Sequence, residues 1–259
     1  MTTIAASKET NANATKAASK ETNAKAASKE TNAKAASKET NANAAKAAAD
    51  YIQSSDITMF VAGVDEVARG TFVGPVVAAC VVLPHILTDD KYKQIKDSKT
   101  LSEKKRTELA KFIKTNAITY GIGTASVEEI DDINILHATM RAMHRAIDEA
   151  YRKHPFHKLL IDGQYFKGYT PPGLDSELLD YECIPKGDKH FLSIAAASII
   201  AKDYHTNLIY DMVEENKELV LYDIKKNKGY GTPKHLAAIK AHGITDFHRR
   251  SFGICKTLP

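Results

Sequence analysis

The run Gly74–Pro84, GPVVAACVVLP, constrains the fold more than any other stretch of this sequence. It is apolar throughout, rich in β-branched valine, and bounded by a glycine and a proline. A strand with one wet face would alternate polar and apolar residues. This run does not, so it predicts a strand buried on both sides. Such a strand needs helices over both faces of its sheet, and the neighbouring segments supply them. TMFVAGVDE from Thr58, Ile118–Ser126 and KLLIDG from Lys158 read as further strands, and Tyr181–Pro185 as a short one. Ser102 fits an N-cap for a helix reaching Thr115. Leu136, Met140, Met143 and Ile147 step by four, three and four, the stripe of a second helix. Ser193–Met212 and Pro233–Gly243 complete the helices, while Asp97–Leu101, Pro171–Gly173 and the basic Lys225–Thr232 read as loops. The alternation predicts an α/β fold, a mixed sheet flanked by helices.

Composition divides the chain near residue 50. Residues 1–50 hold one large aliphatic side chain beyond Met1, Ile4, and repeat AASKETNA from Ala5, Ala17, Ala26 and Ala35. A stretch with so little to bury cannot offset its ordering entropy, so it reads as a disordered tail, with residues 51–259 as the folded domain. A basic tether to nucleic acid and an inert expansion both remain open for the tail. The whole chain carries 36 Lys+Arg against 32 Asp+Glu. The first fifty residues take 8 and 5 of these, leaving 28 and 27, so bulk charge says little about the partner of the folded part.

Cys80, Cys183 and Cys255 are odd in number and widely spaced, with no CxxC pair. That argues against a disulfide framework or a zinc site and fits a reducing, cytoplasmic setting. No apolar run approaches a membrane span, and the N-terminus lacks the apolar core of a secretory signal.

Two predicted strands end in acids, Asp65–Glu66 and Asp162, and Asp188 stands just before a helix. Acids at strand ends and helix starts converge at one edge of an α/β sheet. Close carboxylates repel unless a cation neutralises them, and hard oxygen donors suit Mg2+ or Mn2+. Two such ions can activate water and stabilise a leaving oxygen in phosphodiester cleavage. Adjacent strand residues point to opposite faces, so Asp65 and Glu66 share a site only if the chain bends nearby, as Gly70 would allow. Spacing alone leaves open whether these acids hold metal or are solvated strand ends.

Taken together, the ordered segments GVDEVARGTFVGPVVAA, DSKTLSEKKR, EIDDINILHATMRAM, IDG, KGDKHFLSIAAASIIAK, GYGTPKH and HGITDFHRRSF resemble the type 2 ribonucleases H, the ribonuclease HII family, over residues 58–253. The resemblance implies an RNase H-like core with a helical C-terminal extension. It assigns Asp65, Glu66, Asp162 and Asp188 to a catalytic site holding two divalent ions, Mg2+ or Mn2+. It implies RNA–DNA hybrids and ribonucleotide-containing duplex DNA as substrates. The cut falls on the 5′ side of a ribonucleotide and leaves 5′-phosphate and 3′-hydroxyl ends. Ala68, Arg69 and Gly70 fall in the segment that reads the ribose, and Tyr230 matches a tyrosine that packs beside it. Lys99 and Lys202, with Lys226 and Lys228 flanking GYGT, are either phosphate contacts or solvated lysines. His248 reads as structural. No protein partner is identifiable.

Two departures stand out. Ala68 replaces the first glycine of the family's Gly-Arg-Gly, so its methyl is expected to weaken recognition of a single ribonucleotide. His205-Thr206 replaces an Arg-Asp pair, which removes an ion pair expected there. A related two-metal DNA nuclease would need neither the ARG nor the GYGT segment. A catalytically impaired duplex-binding descendant would not need all four acids.

Overall fold

The structure is a computed structural model and describes residues 59–96, 98–171 and 177–258, with only the backbone of Lys99. The repeat tail and Asp97 lie outside the described residues. Five strands form one mixed sheet: β1 (Val61–Val67), β2 (Val76–Val82), β3 (Thr119–Ala125), β4 (Lys158–Asp162) and β5 (Asp180–Ile184). Their order is β3-β2-β1-β4-β5. β2 runs antiparallel to both β1 and β3; β4 runs parallel to β1, and β5 parallel to β4.

β2 is buried at every position, as its composition predicts. Its residues divide by parity. Val76, Ala78, Cys80 and Val82 pack into one apolar cluster, and Val77, Ala79 and Val81 into another on the opposite face. Each fully buried valine stabilises the fold by about 1.5–3 kcal/mol, so the run anchors both layers at once.

The first layer is α2 (Val127–Lys153), which sets Ala138, Ala142, Met143, Ala146 and Ile147 against the sheet. The second combines α1 (Glu103–Asn116) with α3 (Leu192–Glu215), through Leu109, Ile113, Ala196, Ile199 and Ile200. Ser102 caps α1 as expected, its side chain accepting from the Lys105 amide. The start of α3 lies hard against β1: a Cβ on Gly63 would come within 2.2 Å of the Ser193 backbone. Only glycine permits that approach, which brings α3 to the acids at the end of β1.

Two details differ from expectation. Leu136 is exposed and is not part of the α2 stripe. Asn134 has φ +66° within α2, and its Oδ1 accepts from the amides of Leu136 and His137. It restarts the helix, so beyond Asn134 the buried face resumes at Ala138, after Ile130 in the first segment. The basic segment after Ile224 is not wholly loop: α4 (Ile224–Asn227) is a single helical turn. With α5 (Pro233–His242) it packs a third cluster, Val73, Ile209, Val213, Leu219, Tyr222 and Ile239, around the end of α3. This is the helical C-terminal extension.

Candidate active site

Strand register brings two of the predicted acids together. Val64 of β1 pairs with Ile161 of β4, so Asp65 and Asp162 follow side by side on adjacent parallel strands. Val64 and Ile161 point into the α2 cluster, and alternation sends both acids to the α3 face. Asp188 sits in a single 3-10 turn, Gly187–Lys189, between β5 and α3, and is buried. The Gly187 amide donates to Asp162 Oδ1 at 2.7 Å, which ties that turn to the end of β4.

The bend expected between Asp65 and Glu66 is absent. β1 keeps regular pairing through both, with Glu66 opposite Ala78; the turn comes later, at Ala68. Glu66 Oε1 accepts from Arg69 Nη1 at 3.1 Å, and its charge still acts on Asp65.

Burial holds Asp65 well above the usual carboxylate range, and the charge of Glu66 and then that of Asp162 push it further. A hydrogen bond from Ser198 and the charge of Lys202 oppose the rise. Glu66 is raised as well, chiefly by burial, with Arg69 opposing. The donor set is wholly carboxylate oxygen, with Asp65 and Asp188 buried, Glu66 and Asp162 partly buried, and Asp65, Glu66 and Asp162 repelling one another, which fits a hard divalent cation and no soft one. Among the described residues no three His, Cys, Asp or Glu side chains already stand at ligand spacing. Asp65 and Asp162 instead accept backbone amides, Asp65 from Glu66 at 2.7 Å. The fit is one of chemistry, not of preset distances.

A basic residue lies beside these acids. Ser198 and Lys202 are one turn apart on α3. Lys202 Nζ donates to Ser198 Oγ at 3.2 Å and also to Ser98 Oγ, and the two serine hydroxyls are 2.8 Å apart. Lys202 is therefore held by two serines, neither of them singled out by the sequence. Lys99 is not placed, since its side chain lies outside the described residues. Lys228 is turned away from the acids: its ammonium lies 3.6 Å from the Tyr210 ring centroid and 3.7 Å from Glu103.

The expected ribose-reading segment faces the tyrosine loop. A Cβ on Gly70 would stand 4.0 Å from Tyr230 Cε1, and Thr71 and Tyr230 form an isolated antiparallel bridge. The Phe72 amide donates to Gly229 O at 2.7 Å. Gly229 itself has φ +83°, and a Cβ there would meet Val73 O at 2.7 Å, so this junction needs glycine. Ala68 has φ +68° and is buried. The one departure from the family's glycine pair thus falls where the backbone adopts a glycine conformation.

Behind these loops stands Arg249, fully buried, whose guanidinium donates to the carbonyls of Ala68, Arg69 and Gly74. Sequence reading passed over it; its only signal was its place in HRRSF. His248 is buried and hydrogen-bonded to Thr245 and His235, a structural role as expected. Arg106 Nη2 donates to Thr206 Oγ1 at 3.3 Å, a neutral partner where the family pattern has a carboxylate.

The profile described as Ribonuclease HII matches residues 62–255. Ribonuclease HII of Christiangramia forsetii is 45% identical over 199 residues, covering 77% of this chain and 91% of that protein. Ribonuclease HII of Nostoc sp. is 45% identical over 210 residues, covering 79% and 86%. Among solved structures, ribonuclease H2 from Pyrococcus horikoshii superposes with a TM-score of 0.60 at 24% identity, covering 77% of this chain and 96% of that one. RNase HII in the PCNA:RNase HII complex from Archaeoglobus fulgidus gives 0.55 at 25% identity, covering 76% and 94%. The mixed sheet, its two helical layers and this sequence match are those of one family, and the chain belongs to the ribonuclease HII family.

Proposed function

We propose that this chain hydrolyses the RNA strand of RNA–DNA hybrids and cuts 5′ of ribonucleotides embedded in duplex DNA, leaving 5′-phosphate and 3′-hydroxyl ends. The observation that carries the reading is the placing of buried Asp65 beside partly buried Asp162 on adjacent parallel strands, with the Gly70–Tyr230 gap formed by neighbouring loops. Asp65, Glu66, Asp162 and Asp188 are the residues that would hold two divalent ions, Mg2+ or Mn2+. When bound, such ions supply an activated water and neutralise charge at the cleaved phosphate. Lys202, fixed by Ser98 and Ser198, offers its ammonium to a phosphate of the substrate backbone. Lys99 is proposed for the same task.

Arg69, Gly70 and Tyr230 select the substrate. A 2′-hydroxyl is what separates RNA from DNA at one nucleotide, and the Tyr230 ring beside the Gly70 backbone makes a slot of suitable scale. Ala68 shapes that slot through its backbone. The three cysteines are free thiols, in keeping with a cytoplasmic enzyme. Among the described residues no helix is long and apolar enough to cross a membrane.

The test is cleavage of a labelled RNA–DNA hybrid with Mg2+ or Mn2+, with the Asp65→Asn protein alongside. Metal-dependent cutting of the RNA strand, abolished in the variant, is the expected result. Tight binding of the hybrid without cutting at any divalent ion concentration would overturn the proposal.

A further inference from the structure

Arg249 is a buried cation whose side-chain hydrogen bonds, among the described residues, all go to one short segment. Nη2 donates to Ala68 O at 2.8 Å, Nη1 to Arg69 O at 3.0 Å, and Nε to Gly74 O at 2.9 Å. Its own amide donates to Phe72 O at 2.8 Å, and Phe252 lies under the guanidinium at 5.0 Å. Burying a guanidinium is costly, and carbonyl dipoles repay it only when the fork is well matched. The fork here spans both ends of the turn that presents Gly70.

The segment bearing Arg249 is itself latched. Asp131, in the first turns of α2, accepts from the amides of Arg250 and Ser251 at 2.8 and 2.9 Å. The adjacent His248 leads to the opposite wall. Its Nδ1 accepts from the Thr245 amide at 3.0 Å, so the ring proton sits on Nε2 and is donated to His235 Nε2 at 3.3 Å. His235 Nδ1 in turn donates to Tyr230 O at 2.9 Å, since a carbonyl can only accept. One residue thus holds the backbone of the Gly70 turn, and its neighbour holds the backbone of the Tyr230 loop.

We infer that Arg249 and His248 are positioning residues that set the gap between Gly70 and Tyr230, and with it the enzyme's discrimination for a ribose. The inference rests on the proposed ribose reading at that gap. Recognition of one hydroxyl between two walls requires them to be held to within about 0.5 Å. The Thr71–Tyr230 bridge and the Phe72–Gly229 bond join the walls at one side, and Arg249 and His248 brace each wall from behind.

The experiment compares the full-length protein with Arg249→Lys, which keeps the charge but replaces the fork by one ammonium, and with His248→Leu and His248→Gln. Hydrogen exchange without substrate is read over residues 69–74 and 229–231. We expect exchange there to quicken about tenfold or more in Arg249→Lys and His248→Leu, while core amides of α2 and α3 stay protected. His248→Gln retains a donor toward His235 and recovers part of the protection.

Cleavage is then compared on duplexes carrying either a ribonucleotide or a 2′-fluoro-2′-deoxynucleotide at the same position. The ratio of the two rates is expected to fall about tenfold in Arg249→Lys, because a displaced wall loses the hydroxyl contact first. A merely structural role would lower both rates together; an unchanged ratio, or unchanged exchange in these segments, overturns the inference. If Arg249→Lys loses its core protection, His248→Gln and His248→Leu carry both readouts. If the parent protein cuts neither duplex, the ribose reading fails, whereas the exchange data still judge the positioning.

Discussion

Nη2 of Arg249 donates to the carbonyl of Ala68 at 2.8 Å, and the residue that receives this bond has a φ of +68°. An alanine in that region strains its Cβ against its own carbonyl by about 1–2 kcal/mol, part of which a glycine would give back as unfolded-state entropy. Ala68→Gly is therefore expected to raise unfolding free energy by about 1 kcal/mol, read from the urea midpoint. It should also raise the rate on a duplex with one ribonucleotide, since the turn no longer carries strain at the slot. An unchanged rate would mean that the methyl is accommodated without consequence.

Asp65 gives a prediction about metal-free protein. Its folded pKa lies far above the unfolded value, so the folded state holds the extra proton and stability from this group falls as pH rises, from the ordinary carboxylate range to about 8. Asp65→Asn removes that burden. In EDTA at neutral pH the variant should be more stable than the parent by at least about 1 kcal/mol. Adding Mn2+ should raise the melting temperature of the parent and leave the variant nearly unmoved. Equal stabilisation of both by Mn2+ would place the ion elsewhere.

His205 and His248 act with the opposite sign. Burial depresses both to about 4, so between that value and the ordinary histidine range the unfolded chain binds more protons. Stability from these rings is present above that range and is lost as pH falls through it, by about 3 kcal/mol for each fully realised shift. The Asp65→Asn background exposes this slope without the opposing carboxylate. Denaturant unfolding from neutral pH downward should show it, and His248→Gln should reduce it, with His205 and the likewise depressed His144 and His235 carrying the rest.

Thr206→Asp tests the missing ion pair. Among the described residues Arg106 Nη2 meets a hydroxyl, and its Nε, like His205 Nε2, is buried without a hydrogen-bond partner. A carboxylate at 206 would accept in a charge-assisted bond and should stabilise the protein by about 1 kcal/mol, measured by urea unfolding. Loss of stability would show that the Thr206 bond to the Lys202 carbonyl matters more.

Much of the fold was legible because it rests on local pattern. β2 declares its double burial in seven consecutive apolar residues, and Ser102 and Pro233 mark helix starts by their side-chain chemistry. Leu136 misled because Asn134 restarts the helix through a backbone conformation that hydrophobic spacing does not encode. Of the site, the strand-end acids were readable from where strands stop, and the register then set Asp65 beside Asp162. Arg249 was not readable: its partners are carbonyls 175 to 181 residues earlier, and a carbonyl has no sequence signature. The same holds for Ser98 and Ser198, 100 residues apart and joined only by folding.

The most direct test of the account is cleavage of an end-labelled DNA duplex carrying one ribonucleotide, in Mg2+ and in Mn2+, beside an all-DNA duplex of the same sequence. The account predicts a metal-dependent cut on the 5′ side of the ribonucleotide, leaving a 3′-hydroxyl, and no cut in the all-DNA duplex. Cleavage of both duplexes alike, or a cut indifferent to the position of the ribonucleotide, would contradict it.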